Sequence, residues 1–182
     1  MPLFCADFLS ASLRDLPTRF FLDGRRKYRQ AGDIDTYLRQ RKEGFVARLD
    51  ACLRENRPFF AQEITQEVID FVRDHPEMGG GRRVGNIVYE TKIPYMTQKY
   101  LEAKDPRTKR YQACHCPWAR EAILGGDVHV ADTFCNCSGG FHKKPFEVIF
   151  RQPLKVALIA SVLRGNDHCR FAIFLPEEAV PA

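Results

Sequence analysis

A chain of 182 residues, 45% apolar and 28% charged, is long enough to bury its own core and needs no disulfide scaffold to fold. No apolar run approaches the roughly 20 residues of a membrane helix, and the net charge of +5 is scattered over Arg25-Arg26-Lys27, Arg82-Arg83 and Lys109-Arg110, which argues against both a membrane protein and a nucleic-acid binder with a concentrated basic stripe. Met1 to Leu9 has neither a basic nor a long apolar signal region, so a cytoplasmic location is expected, where an odd count of seven cysteines reads as reduced thiols or metal ligands.

Residues 4–16 carry Phe4, Phe8, Leu9, Leu13 and Leu16, an amphipathic helix pattern that stops at Pro17. Phe20-Phe21-Leu22 and a polar connector, Asp23 to Gly32, follow. Asp33 or Asp35 can cap a helix reaching Glu55, with Ile34, Tyr37, Leu38, Phe45, Val46, Leu49, Cys52 and Leu53 on its apolar stripe. Asn56-Arg57-Pro58 breaks it, and a second helix is predicted over Pro58 to Asp74, which makes the pair a helical hairpin. Gly79-Gly80-Gly81 lacks the lysine of a phosphate loop and reads as a flexible connector. Asn86 is a candidate cap for a helix interrupted by Pro94 and resumed from Tyr95 to Ala103.

From Tyr111 the periodicity changes. Tyr111 to Cys116 reads as a short strand, with Cys114 and Cys116 on one face. Pro117 opens a helix that Gly125-Gly126 stops, and Asp127 to Ala131 alternates. Asp132 or Thr133 can cap a helix running to Phe150, kinked or restarted at Pro145, which sets Cys135 and Cys137 near its N-terminus. Lys155–Leu163 and Cys169–Leu175 flank the turn residues Gly165-Asn166-Asp167 and form a hairpin. The expected division is a helical region over 1–80 and an α+β domain over 81–182.

Five of the seven cysteines fall within 111–175, together with His115, His129, His142 and His168. Thiolates with an imidazole are the ligands of zinc and iron–sulfur clusters, so Cys114, His115, Cys116, Cys135, Cys137 and Cys169 form a candidate metal set. Redox-active thiols are an alternative, favoured by a helix N-terminus at Cys135 and Cys137, and buried packing cysteines are another. A further one is catalysis, with a thiolate as nucleophile, His115 or His142 as base and Glu121 or Asp132 as orienter. Cys5 and Cys52 read as packing residues, and Tyr111, Trp118, Phe134, Phe141 and Phe146 as candidate lining for an apolar pocket.

The hairpin with Gly165, Cys169 and Phe171, preceded by a helix ending in Phe150-Arg-Gln-Pro-Leu, resembles the 4-vinyl-reductase-type hydrocarbon-binding domain family over 110–177. Cys114-His-Cys-Pro-Trp-Ala-Arg-Glu-Ala-Ile123, Phe134-Cys-Asn-Cys-Ser-Gly-Gly140 and Val162-Leu-Arg-Gly-Asn-Asp-His-Cys-Arg-Phe-Ala-Ile173 resemble a cysteine-rich prokaryotic branch sometimes labelled L-2-amino-thiazoline-4-carboxylic acid hydrolase-like. The resemblance implies a few-stranded antiparallel sheet backed by helices, a pocket for a small, often aromatic, ligand, and a homodimer. It also implies zinc ligands at Cys135 and Cys169, although the two intervening ligand positions fall on Leu158 and Ser161. The expected function is small-molecule binding or sensing with a cysteine-rich metal or redox site, and the alternative is a thiol-dependent hydrolase of thiazoline- or thioester-like compounds.

Overall fold

Asp33 has an extended backbone and its carboxylate accepts the Thr36 amide at 2.9 Å, so the long helix starts where its capping residue places it. In this computed structural model, which describes residues 22–126 and 130–179, that helix is the second of seven. They are α1 (Leu22–Ala31), α2 (Ile34–Arg54), α3 (Gln66–Asp74), α4 (Thr97–Glu102), α5 (Pro106–Ala113), α6 (Pro117–Gly125) and α7 (Asn136–Phe150). Strands β1 (Arg82–Val84), β2 (Ile87–Thr91), β3 (Val156–Ala160) and β4 (Arg170–Phe174) form one antiparallel sheet in the order β1-β2-β4-β3. The architecture is α+β. The stretch 4–16, Cys5, Phe20-Phe21 and His129 lie outside the described residues. No helix among the described residues is long and apolar enough to cross a membrane.

β4 is a central strand, and Phe171, Ala172 and Ile173 are buried in succession because both of its faces are covered. Ile173 lies opposite Val88 of β2 and Val156 of β3. On one face, Ile34, Tyr37 and Leu38 of α2 and Phe146 and Ile149 of α7 pack with Val88 and Ile173 into one core. A second core joins α2 to α3 through Leu49, Cys52, Val68, Ile69 and Val72, so Cys52 is the packing residue its helical phase predicts. A third gathers Tyr100, Ala113, Cys114, Ala119, Ile123 and Val162.

Several local expectations are corrected, the first being the polar connector Asp23 to Gly32, which is helical as far as Ala31. α3 begins at Gln66, not Pro58: Thr65 takes the Val68 amide at 3.2 Å, while Phe59 and Gln62 pair across a turn that holds Phe60 at φ 53°. The segment after Asn86 is a strand, because Gly85-Asn86 is the two-residue loop of a β1–β2 hairpin in which Val84 faces Ile87. Tyr111 to Ala113 closes α5 instead of forming a strand: Asp105 caps the Thr108 amide at 2.9 Å and Pro106 occupies the first helical position. Only Cys114 to Cys116 is extended, between α5 and α6. The Gly79–Gly81 segment is packed, with Gly79 and Gly81 at φ 78° and 94°, and a Cβ on Gly79 would stand 2.2 Å from Cδ1 of Phe45. α7 also continues through Pro145.

Candidate functional site

α2, the end of β2 and the first turns of α7 enclose a cleft of about 990 Å³. This lies at the upper end of the range for small-molecule sites. β2 alternates half-buried and buried residues, and the buried phase that takes Val88 next takes Glu90. A buried carboxylate needs partners. Arg41 of α2 donates to one oxygen of Glu90 and also to the Gly80 carbonyl at 3.0 Å, and His142 Nδ1 donates to the other oxygen at 2.5 Å. Burial alone would raise the Glu90 carboxyl, but the Arg41 guanidinium and His142 outweigh it and hold it below the usual carboxylate range. The His142 ring stacks on Phe171 with centroids 4.8 Å apart, so α7, β2 and β4 all fix its plane.

Two positions beyond Glu90, Lys92 continues the sheet by donating its amide to the Cys169 carbonyl at 2.9 Å. Its ammonium reaches the α7 N-terminal turn and donates to Ser138 Oγ at 2.8 Å. Burial pushes the Lys92 ammonium down, an effect that Cys169, Cys114, Cys137 and Cys135 partly offset. Cysteines from three separate segments thus all lie near enough to act on the charge of one lysine. Their individual settings differ. Burial pushes the Cys114 thiol up to about 12, and Cys135 is raised by burial against a 3.1 Å hydrogen bond with Ser161, the position aligned above with a zinc-ligand cysteine. All six described cysteines are free, and Cys137 is exposed in the cleft wall.

Among the described residues no group of three or more His, Cys, Asp or Glu side chains is arranged to hold an ion. His115 is held by the backbone and a ring: Nε2 donates to the Ile93 carbonyl at 2.9 Å, the imidazole contacts Tyr95 edge-on, and burial lowers it to about 4, so it is neutral.

Of the candidate ligand aromatics, Phe141 lines the cleft. Phe146 is fully buried in the core, Tyr111 lies under the Arg120 guanidinium at 4.2 Å, and Trp118 packs edge-on to Phe134 with 70% of its surface exposed. The aromatic wall comes from Tyr37, Phe45, Phe59 and Phe60. His142 is oriented by Glu90 and not by the candidates Glu121 or Asp132, the latter being paired with Arg164 at 2.7 Å. Arg41, Glu90, Lys92 and Ser138 escape the sequence reading. The one signal for Glu90 and Lys92 is the alternation Val88-Tyr-Glu-Thr-Lys, which carries charges on its apolar phase.

A model of a family of unknown function (DUF6144) matches residues 100–180. No curated protein and no solved structure gives a match. The matched stretch holds the five clustered cysteines, Ser138 and His142, whereas Arg41, Glu90 and Lys92 on the facing wall precede it.

Proposed function

We propose that the protein binds a small organic anion with an apolar or aromatic body in the cleft between α2, β2 and α7. The composition of the cleft carries this reading. Tyr37, Phe45, Phe59 and Phe141 supply aromatic surface, and Lys27, Arg41 and Arg48 outnumber the two lining carboxylates, Asp23 and Glu90. Glu90 is already taken by Arg41 and His142, so positive potential is left over toward the cavity. Aromatic walls contribute burial and stacking, and the cations select a charged end group.

Gly44 allows a test that separates binding from folding. It lines the cleft from inside α2, and a Cβ added there meets nothing within 4 Å. Gly44→Leu should fill the cavity while improving helix propensity. Fluorescence titration with 8-anilinonaphthalene-1-sulfonate should give saturable binding, about tenfold tighter than the uncharged N-phenyl-1-naphthylamine, and Gly44→Leu should lose it without loss of melting temperature. Equal affinity for the two probes, or an unchanged titration in Gly44→Leu, would contradict the reading.

A further inference from the structure

The geometry points to an acyl-transfer activity in this cleft, with Ser138 as nucleophile and Lys92 as its general base, acting on an ester or activated amide of a small anionic aromatic compound. The inference rests on the binding reading for its substrate class. The polar contact that the lysine makes across the cleft is with a hydroxyl and not a thiol: Lys92 Nζ and Ser138 Oγ are 2.8 Å apart, and both side chains line the cavity. That is the hydrogen-bond reach a nucleophile and base require. Serine–lysine pairs are one of the recurring arrangements in which a hydroxyl is activated without histidine.

The surroundings suit the role. A lysine can act as a base only when its amine is neutral, and the enclosure between β2, β4 and α7 pushes Lys92 in that direction. Ser138 is held on a helix two residues past its start, with Gly139 buried against Phe171 and Val156 behind it, so the hydroxyl is carried on a fixed backbone. His142, one turn further along α7 and anchored on Glu90, supports the same wall.

In the reaction, Ser138 Oγ forms a bond to the substrate carbonyl carbon as its proton passes to the neutral Lys92 amine. The tetrahedral adduct collapses, the bond to the leaving group breaks, and the Lys92 ammonium returns the proton to that group. A water molecule then attacks the acyl-serine, giving its proton to Lys92, and Lys92 protonates Ser138 Oγ as the acid departs. Protons and electrons balance with water as the single co-reactant.

The test uses the full-length protein and a fluorophosphonate probe, with peptide mass spectrometry to locate the adduct and the anilinonaphthalene sulfonate titration to report an intact cleft. Wild type should be modified at Ser138, Ser138→Ala should not be modified, Lys92→Met should react at least 100-fold more slowly, and Cys137→Ala should react as wild type. Ser138→Ala and Cys137→Ala should still bind the fluorescent anion, and Lys92→Met should keep the wild-type melting temperature, which shows that the fold around the site remains formed. No adduct in a protein that binds the anion would overturn the inference and leave the binding reading standing. So would an adduct on Cys137 that survives Ser138→Ala. Loss of anion binding in wild type itself would instead remove the binding reading on which the inference depends.

Discussion

Burial keeps both His115 and Cys114 uncharged, moving the imidazole down to about 4 and the thiol up to about 12. The two shifts have separate observable consequences. An imidazole with an ordinary value of 6.5 when unfolded and about 4 when folded binds fewer protons in the native state across that window. Stability is therefore full above about pH 6.5 and falls as pH drops toward 4, by about 2 kcal/mol after allowance for partial exposure. Melting temperature against pH should show this slope, and His115→Gln should flatten it; an unchanged slope in the variant would contradict the assignment. For the thiols, Cys137 is exposed, Cys114 is buried with a raised pKa, and Cys52 is 1% exposed. Iodoacetamide at pH 8 should modify Cys137 first, with Cys114 and Cys52 lagging by orders of magnitude, because the reacting species is an accessible thiolate. Time-resolved mass spectrometry measures the order, and Cys114 keeping pace with Cys137 would mean the Cys114–Cys116 segment opens readily.

At the scale of elements, two glycines on facing surfaces make opposite predictions. Gly79 is left-handed at φ 78° with the Phe45 ring where its side chain would be, so Gly79→Ala should cost roughly 1–3 kcal/mol through backbone strain and overpacking. Gly44 lies within α2 with open space, so Gly44→Ala should stabilise by about 0.5–1 kcal/mol. Denaturant midpoints of the two variants decide it, and equal shifts would remove the close approach as the cause. These contacts also explain what was legible in the sequence. Asp33 before an apolar 3.6-residue stripe and the β-branched run after Lys155 are local signals, and both elements appear, the strand ending at Ala160 and not at Leu163 because Val162–Arg164 turns into a 3-10 helix. β1 and β2 are not readable in that way: Arg82-Arg83-Val84 is short and polar, and Glu90 is buried only because Arg41 and His142 arrive from 49 and 52 residues away. Asp105-Pro106 carries a helix start that also reads as a helix stop, so Tyr111 to Cys116 reads as a strand although Tyr111 to Ala113 closes α5 in the molecule.

Across the whole molecule, the sequence located the chemistry-bearing segments but not the cavity they serve. Cys114, Cys135, Cys137 and Cys169 all act on the charge of Lys92, a residue whose place depends on a sheet pairing that no local pattern encodes. One wall of the cleft comes from α2, which shares a core with β2, β4 and α7 through Ile34, Tyr37 and Leu38. The 100–180 stretch shared with a family of unknown function therefore carries one wall of the site, and the residues before it carry the other. The most direct measurement of the central claim is hydrogen–deuterium exchange of the full chain with and without saturating 8-anilinonaphthalene-1-sulfonate. Protection concentrated at 37–48, 90–95 and 137–145, the three walls of the cleft, is the expected result. Protection confined to the exposed Trp118–Phe134 pair, with those three segments unchanged, would contradict it.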